Sequence, residues 1–341
     1  MAIAGAIFRS GSRPESATLP LMQQRPFGSL GAVSALTLGG GGTGQVWGAT
    51  TRDEAIATTR EAVESGITLL DLAPGYGNGE AESVIGETFG GRLPAGVRIT
   101  TKCMLGNPPP AEVASRLEAS LAASLGRMRL SRVDLFFLHG QVFPDDKAGQ
   151  PGYRGSPLSL FREHVRPTFE RLVREGRIGA WGISAAGIPE SCIAAIDDDP
   201  PPNAAQVVIN LLDSPGGMKS YEGPARPRDI LAAANRRGVA VMGIRAVQAG
   251  ALTDAIDRPI ADDHPEMVDY RRAAPFRAIA KELGESPASL AHRYALSVPG
   301  VATVVLGVKN RTELRECIAA EAMGPLDAAL MARIDASVGR A

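Results

Sequence analysis

Short runs of apolar, β-branched residues recur along the chain, with amphipathic stretches between them. Val33–Leu38, Ile67–Asp71, Val97–Thr101 and Val133–His139 are the first four runs. Ile178–Ser184, Ala205–Asn210, Val239–Ile244 and Thr303–Leu306 complete a set of eight. Their near-continuous apolarity is what strands covered on both faces require, as in a parallel sheet. The intervening stretches read as helices with defined ends. Thr51-Arg52-Asp53-Glu54 is a capping box, and the helix it opens stops at Gly66, a C′ glycine. Pro110 precedes Ala111–Leu125, where Val113, Leu117, Leu121 and Leu125 predict one apolar stripe. Pro227 opens a run to Arg237 that Gly238 closes, and Ser286-Pro287 starts another that ends near Ser297-Val298-Pro299. Eight strands alternating with helices predict a closed (β/α)8 TIM barrel, a single domain over residues 22–341, rather than an open sheet.

Composition narrows the partners more than the fold. The 341 residues are 44% hydrophobic and 21% charged with a net charge of −1, an ordinary globular balance. Nothing in that balance argues for a nucleic-acid or membrane surface. No apolar run approaches the roughly 20 residues needed to span a bilayer. Residues 1–21 bear Ser, Gly and Pro and lack a signal-peptide apolar core, so they read as a flexible leader. Cys103, Cys192 and Cys317 lie far apart without a C-x-x-C, which indicates neither a disulfide framework nor a zinc site and fits a reducing cytoplasm. His164, His264 and His292 show no metal spacing, so no metal is expected. Oligomeric state is not legible at this level.

The stretch "LTLGGGGTG" carries G-x-G-x-x-G at Gly39, Gly41 and Gly44. A Rossmann turn needs its third glycine to open a helix, so that pyrophosphate meets free N–H groups. Here Gln45-Val46-Trp47-Gly48-Ala49 follows without a helix start, and the Rossmann reading is rejected. The chemistry is expected at the carboxyl ends of the strands. Those ends carry Asp71, with Tyr76 five residues on, then Lys102, His139, Ser184, Gln206, Asn210 and Arg245. Taken singly, each is compatible with a structural ion pair; four ionisable groups converging on one mouth point to chemistry. A tyrosine of ordinary pKa, about 10, is a poor acid at neutral pH. A nearby lysine cation is expected to lower it, with an aspartate holding the lysine in place. A histidine can orient a carbonyl oxygen. Such a set moves a proton at an oxygen while a hydride moves at the carbon.

At these residues the chain resembles the aldo-keto reductase family. "LLDLAPGYGNGEAESVIG" (Leu69–Gly86) is similar to the family's D-x-A-x-x-Y-G-x-G-x-x-E-x-x-x-G stretch. "ITTKC", "LFFLHG", "WGISA", "AQVVIN" and "VVLGVKNRTELRECIAA" follow in the family's order, and the resemblance covers about Met22 to Ala320. It implies Tyr76 as general acid/base, Lys102 and Asp71 as tuners of its pKa, and His139 as the group that orients substrate. Trp47, with Tyr76 and His139, is expected to line the substrate pocket. The loop Gly39–Gly44 resembles the family's first βα loop, which places Gly39 and Gly40 near the nicotinamide.

By the same resemblance, Ser184 and Gln206 hold the carboxamide, although Ala185 stands where an Asn usually follows that serine. Arg245 and the run to Leu252, with Gly250, resemble the loop over the pyrophosphate, without the aromatic residue that several branches stack on the nicotinamide. Gly307-Val308-Lys309-Asn310-Arg311 resembles the adenosine-phosphate site, with Glu316 beyond it. Glu313 stands where Gln or Arg is common, and Cys317 where Asn is. The cations Lys309 and Arg311 favour NADP(H) over NAD(H). The expected function is therefore an NAD(P)(H)-dependent oxidoreductase acting on an aldehyde, ketone or sugar. Kept beside it are an NAD-dependent aldose or pyridoxal-type dehydrogenase working oxidatively, a non-enzymatic nucleotide-binding regulatory subunit, and a barrel lyase or isomerase using Lys102 as a Schiff base.

Overall fold

In a computed structural model, which describes residues 22–151 and 153–340, eight parallel strands close into a barrel. They are β1 (Leu36–Gly39), β2 (Leu69–Asp71), β3 (Arg98–Cys103), β4 (Val133–Leu138), β5 (Ile178–Ser184), β6 (Ala204–Val208), β7 (Ala240–Ile244) and β8 (Thr303–Leu306). Each pairs with its sequence neighbours, and β8 closes onto β1 through Val304↔Leu36, Val305↔Thr37 and Leu306↔Leu38. The expected leader, residues 1–21, lies outside the described residues.

Every predicted run carries a strand, but the first is divided. Ala32–Ser34 pairs antiparallel with Gln24–Pro26, and the barrel strand begins only at Leu36. The division has a packing cause. Phe27 and Val33 of this hairpin are buried against Leu69, Leu135, Phe137, Ala204 and Met242, inside the barrel at the amino ends of its strands. The hairpin plugs the floor, which leaves the opposite mouth for chemistry. A larger apolar layer lies between the strands and the helices. Each large side chain fully buried there contributes roughly 1.5–3 kcal/mol relative to exposure.

Helix α1 (Arg52–Glu64) starts where Thr51 Oγ1 accepts the Glu54 N–H at 3.2 Å. Only half of the capping box forms, because the Glu54 carboxylate turns instead to Arg311. Helix α2 (Glu80–Phe89) follows the Tyr76 loop, whose Gly77 and Gly79 have φ of +65° and +91°. Glu82 of α2 accepts from Thr101 Oγ1 at 2.5 Å and Arg127 Nε at 2.6 Å, tying the helix to β3 and to α3 (Val113–Met128). The α3 stripe departs from expectation: Val113, Leu117 and Leu121 are buried, then Ser124 and Met128, while Leu125 is half-buried. Steps of four residues drift by about 40° per step against the 3.6-residue period, so a fourth member rotates off the face. The helix also outruns Leu125, because Arg129 takes the left-handed terminal conformation at φ +59°. Further along lie α4 (Arg166–Arg174), α5 (Pro189–Asp197), α6 (Pro227–Arg236), α7 (Pro265–Arg272), α8 (Ala274–Leu283), α9 (Pro287–Ser297), α10 (Arg311–Ala322) and α11 (Ala328–Ser337).

Candidate active site

Alternation along β3 points Thr100 and Lys102 to one side, toward Asp71 at the end of β2. Lys102 Nζ donates to Asp71 Oδ2 at 2.8 Å and to the Leu72 carbonyl at 2.8 Å, and lies 3.3 Å from the Tyr76 hydroxyl. Asp71 Oδ1 accepts from Thr100 Oγ1 at 2.6 Å and from Gln206 Nε2 at 2.9 Å. Lys102 is wholly buried, so the pair sits in low dielectric and every donor around the carboxylate is used. Tyr76 and His139 meet edge to face, with ring centroids 5.7 Å apart. The four side chains converge as the sequence predicts.

The electrostatics differ from expectation in one respect. Burial pushes the Tyr76 hydroxyl above the ordinary tyrosine value; the Lys102 ammonium opposes the shift and the Asp71 carboxylate adds to it. Burial also disfavours the Lys102 cation, but Asp71 and Tyr76 outweigh it and hold the ammonium charged. Because Asp71 neutralises Lys102, the lysine reduces the tyrosine shift without reversing it. His139 is held down to about 3, first by burial and then by the Lys102 charge, so it is a neutral imidazole at working pH. A lysine charged and fully bonded in this way is a poor amine nucleophile, which removes the ground for the Schiff-base reading.

A cavity of about 970 Å³ opens above this floor. At one end Asp71, Tyr76, His139 and Trp47 meet Val46, Met104, Gln141, Arg154, Met218 and Ser220. From there it runs past Ser184, Gln206 and Arg245 to Lys309, Glu313 and Glu316. The glycine loop forms a single helical turn over Gly40–Thr43, not the start of a long helix. Its glycines are needed for close approach: a Cβ on Gly42 would lie 1.8 Å from the Val308 carbonyl, and one on Gly41 2.6 Å from Trp47 Nε1. Gly39 and Gly41 line the cavity, whereas Gly40 packs behind Tyr76 against Leu72 and Ala81.

The residues present fit an elongated dinucleotide. Ser184 Oγ is buried, lines the cavity and has no partner among the described residues. Gln206 gives its amide N–H to Asp71 and lines the same wall. Arg245, by contrast, is buried in an ion pair with Glu266 at 2.7 Å and donates to Gln248 Oε1 at 2.7 Å. It shapes the loop after β7, where Arg245, Gln248 and Ala249 all have left-handed φ of +61°, +48° and +51°. Such residues cost on the order of 1–3 kcal/mol each and persist only where surroundings impose them. Asn210 supplies part of that constraint, donating to Ser214 and Arg245 carbonyls at 3.0 and 3.2 Å; it is a strand-end organiser outside the cavity. Gly250 lines the cavity in this loop.

The cationic end corrects the sequence reading. Arg311 does not line the cavity; its guanidinium is held by Glu54 at 2.9 and 3.1 Å. Lys309 does line it, but its ammonium is paired with Asp257 and lies 3.4 Å from Glu313. Sequence reasoning missed Thr100, whose signal is its place two residues before Lys102, and the mouth residues Met104, Arg154 and Met218, which lie on loops without a pattern. Trp181 packs with Phe161 and Phe169 rather than facing the mouth. Burial pushes the Cys103 thiol up, as suits a packing residue. Among the described residues no cluster can hold a metal ion, and no helix is long and apolar enough to cross a membrane.

Comparison with known proteins bears on this arrangement. Residues 35–338 match the model of the Aldo/keto reductase family. The chain is similar to L-galactose dehydrogenase of Arabidopsis thaliana, 26% identical over 302 residues that cover 88% of each protein. A methylglyoxal reductase of Escherichia coli is 31% identical over 163 residues, 48% of this chain and 50% of that one. An aldo-keto reductase of Bacillus halodurans in its holo form shares the fold at a TM-score of 0.68, with 20% identity over 94% of this chain and 97% of that one. The glycerol dehydrogenase of Gluconobacter oxydans does so at 0.67, with 20% identity over 93% and 94%.

Proposed function

Because this chain belongs to the aldo/keto reductase family, and so is an oxidoreductase acting at carbonyl or alcohol groups, we propose that Tyr76 is the group that exchanges the proton. The observation that carries the proposal is the Tyr76–Lys102–Asp71 chain at the cavity floor, with His139 across the tyrosine edge. A bound nicotinamide dinucleotide supplies or receives the hydride. The protein does the rest. Ser184 and Gln206 line the wall suited to a carboxamide, and Gly39, Gly41 and Gly250 let the backbone come close. A substrate oxygen set between the Tyr76 hydroxyl and the neutral His139 imidazole accepts a hydrogen bond from each. In reduction, Tyr76 gives its proton to that oxygen as negative charge develops there. In oxidation it takes the alcohol proton, and the Lys102 ammonium 3.3 Å away stabilises the tyrosinate.

The substrate class is an aldehyde, ketone or sugar that enters past Val46, Met104, Arg154 and Met218. A second reading, NAD-linked oxidation of an aldose, is favoured by the similarity to a protein named L-galactose dehydrogenase over 88% of both chains. Three buried free cysteines suit a reducing cytoplasm. The test is a panel of aldehydes, ketones and aldoses with each nicotinamide cofactor, in both directions, followed by the absorbance of the reduced ring. Turnover of at least one carbonyl or alcohol is expected, with no borohydride-trapped adduct on Lys102. Cofactor binding without turnover anywhere on the panel would sink the enzymatic assignment of these residues.

A further inference from the structure

We propose that the adenosine end of the cavity selects NAD(H) by turning away a 2′-phosphate, and that Glu54 is a positioning residue for that choice. The inference rests on the reading of the cavity as a dinucleotide site. A phosphate needs cations or unpartnered N–H donors, and here the Lys309, Arg311 and Arg258 cations and the Arg311 and Glu313 N–H groups are engaged within the protein. At the start of α10, the Glu313 N–H donates to Asn310 Oδ1 at 2.9 Å and the Lys309 N–H donates to Glu313 Oε2 at 2.8 Å. The Arg311 N–H donates to Glu54 Oε1 at 2.9 Å. The helix end that would attract an anion is thus capped by its own side chains and by a carboxylate from α1.

The cations are engaged in the same way. Glu54 grips both the backbone and the guanidinium of Arg311 and holds it outside the cavity. Lys309 faces the cavity between Asp257 and Glu313. Glu316 lines the same end, with one carboxylate oxygen on the Ser286 hydroxyl and the other without a partner among the described residues. Asp257, Glu313 and Glu316 therefore confront Lys309 and Arg258, whose guanidinium donates to the Ala249 carbonyl at 2.8 Å and sits beside Asp257, and a phosphate monoester would bring close to two further negative charges. A ribose 2′-hydroxyl meets no such conflict: it is a donor, and Glu316 offers an acceptor. This geometry reverses the NADP(H) preference that Lys309 and Arg311 suggest in the sequence.

Binding tests this without turnover, by titrating the quenching of protein fluorescence, which Trp47 in the cavity wall reports. NADH is expected to bind at least about tenfold more tightly than NADPH at low salt, with the gap narrowing as salt screens the repulsion. Glu54→Gln loosens Arg311 and should tighten NADPH about fivefold while leaving NADH nearly unchanged, the scale expected of one exposed charge. Adding Glu313→Gln should tighten NADPH further. A merely structural role for Glu54 would weaken both cofactors together and would overturn its assignment. Equal or tighter NADPH binding by the wild type would overturn the selectivity itself. If neither cofactor quenches or binds by calorimetry, the dinucleotide reading fails instead.

Discussion

Tyr76→Phe is expected to lower the rate of the chemical step by about 100- to 10,000-fold, the usual contribution of a positioned general acid. The change deletes one hydroxyl and keeps the ring, so the edge contact with His139 and the packing behind Gly40 persist. Cofactor affinity should therefore move little. Single-turnover rates with a saturating carbonyl check this, and a variant that keeps the full rate in a chemistry-limited assay would remove Tyr76 from the role. The wild-type pH dependence follows from the direction of the shift. Burial holds the hydroxyl above its ordinary value, so the proton needed for reduction stays in place through neutral pH and is lost only in the alkaline range. Oxidation, which needs the tyrosinate, should rise over that same alkaline range. His139, held down to about 3, contributes no limb near neutrality.

Lys102→Met should cost both stability and rate. It leaves Asp71 buried with only Thr100 and Gln206 as donors, and breaking a buried pair typically costs about 3–5 kcal/mol. That is a large share of the roughly 5–15 kcal/mol by which folded proteins persist. Loss of the cation also removes the influence that opposes burial at Tyr76, while the Asp71 charge that raises its pKa remains. The alkaline limb of oxidation should then move to still higher pH. Lys102→Met with Asp71→Asn removes both charges and should recover much of the lost denaturation midpoint but not the rate. An unchanged pH profile with good residual activity in the single variant would dissolve the pairing.

Much of this was legible in the chain because the signals are periodic or chemically costly. Eight apolar runs imply a barrel, since strands covered on both sides leave few other arrangements. Asp71, Lys102 and His139 stand out because an ionisable group after an apolar run needs a partner. What the pattern hides is pairing between distant segments. Arg311 and Glu54 are 257 residues apart, and each reads locally as something else, a phosphate ligand and half of a capping box. Likewise Val33 belongs by hydropathy to the first strand, and its burial in one cluster with Phe27, Leu135 and Phe137 explains its place in a plug. The direction of the Tyr76 shift was hidden for a similar reason: it depends on how deeply the ring sits, and no spacing encodes depth.

The closing seam has a consequence for how the molecule becomes and stays folded. Strands β1 and β8 join residues near the two ends of the chain, Leu36 with Val304 among them. The cavity straddles that join, with Gly39 and Gly41 on one lip and Gly307, Val308 and Lys309 on the other. Contacts of such sequence separation must overcome a large loop entropy before they stabilise anything, so they form late. The cavity is complete only once this join has formed, and a dinucleotide bound there as proposed would act as a clasp across it. At a ligand concentration 100 times its Kd, that clasp would add about 2.7 kcal/mol against opening. Cofactor supply would thereby also govern how long the protein survives proteases, quite apart from how fast it turns over.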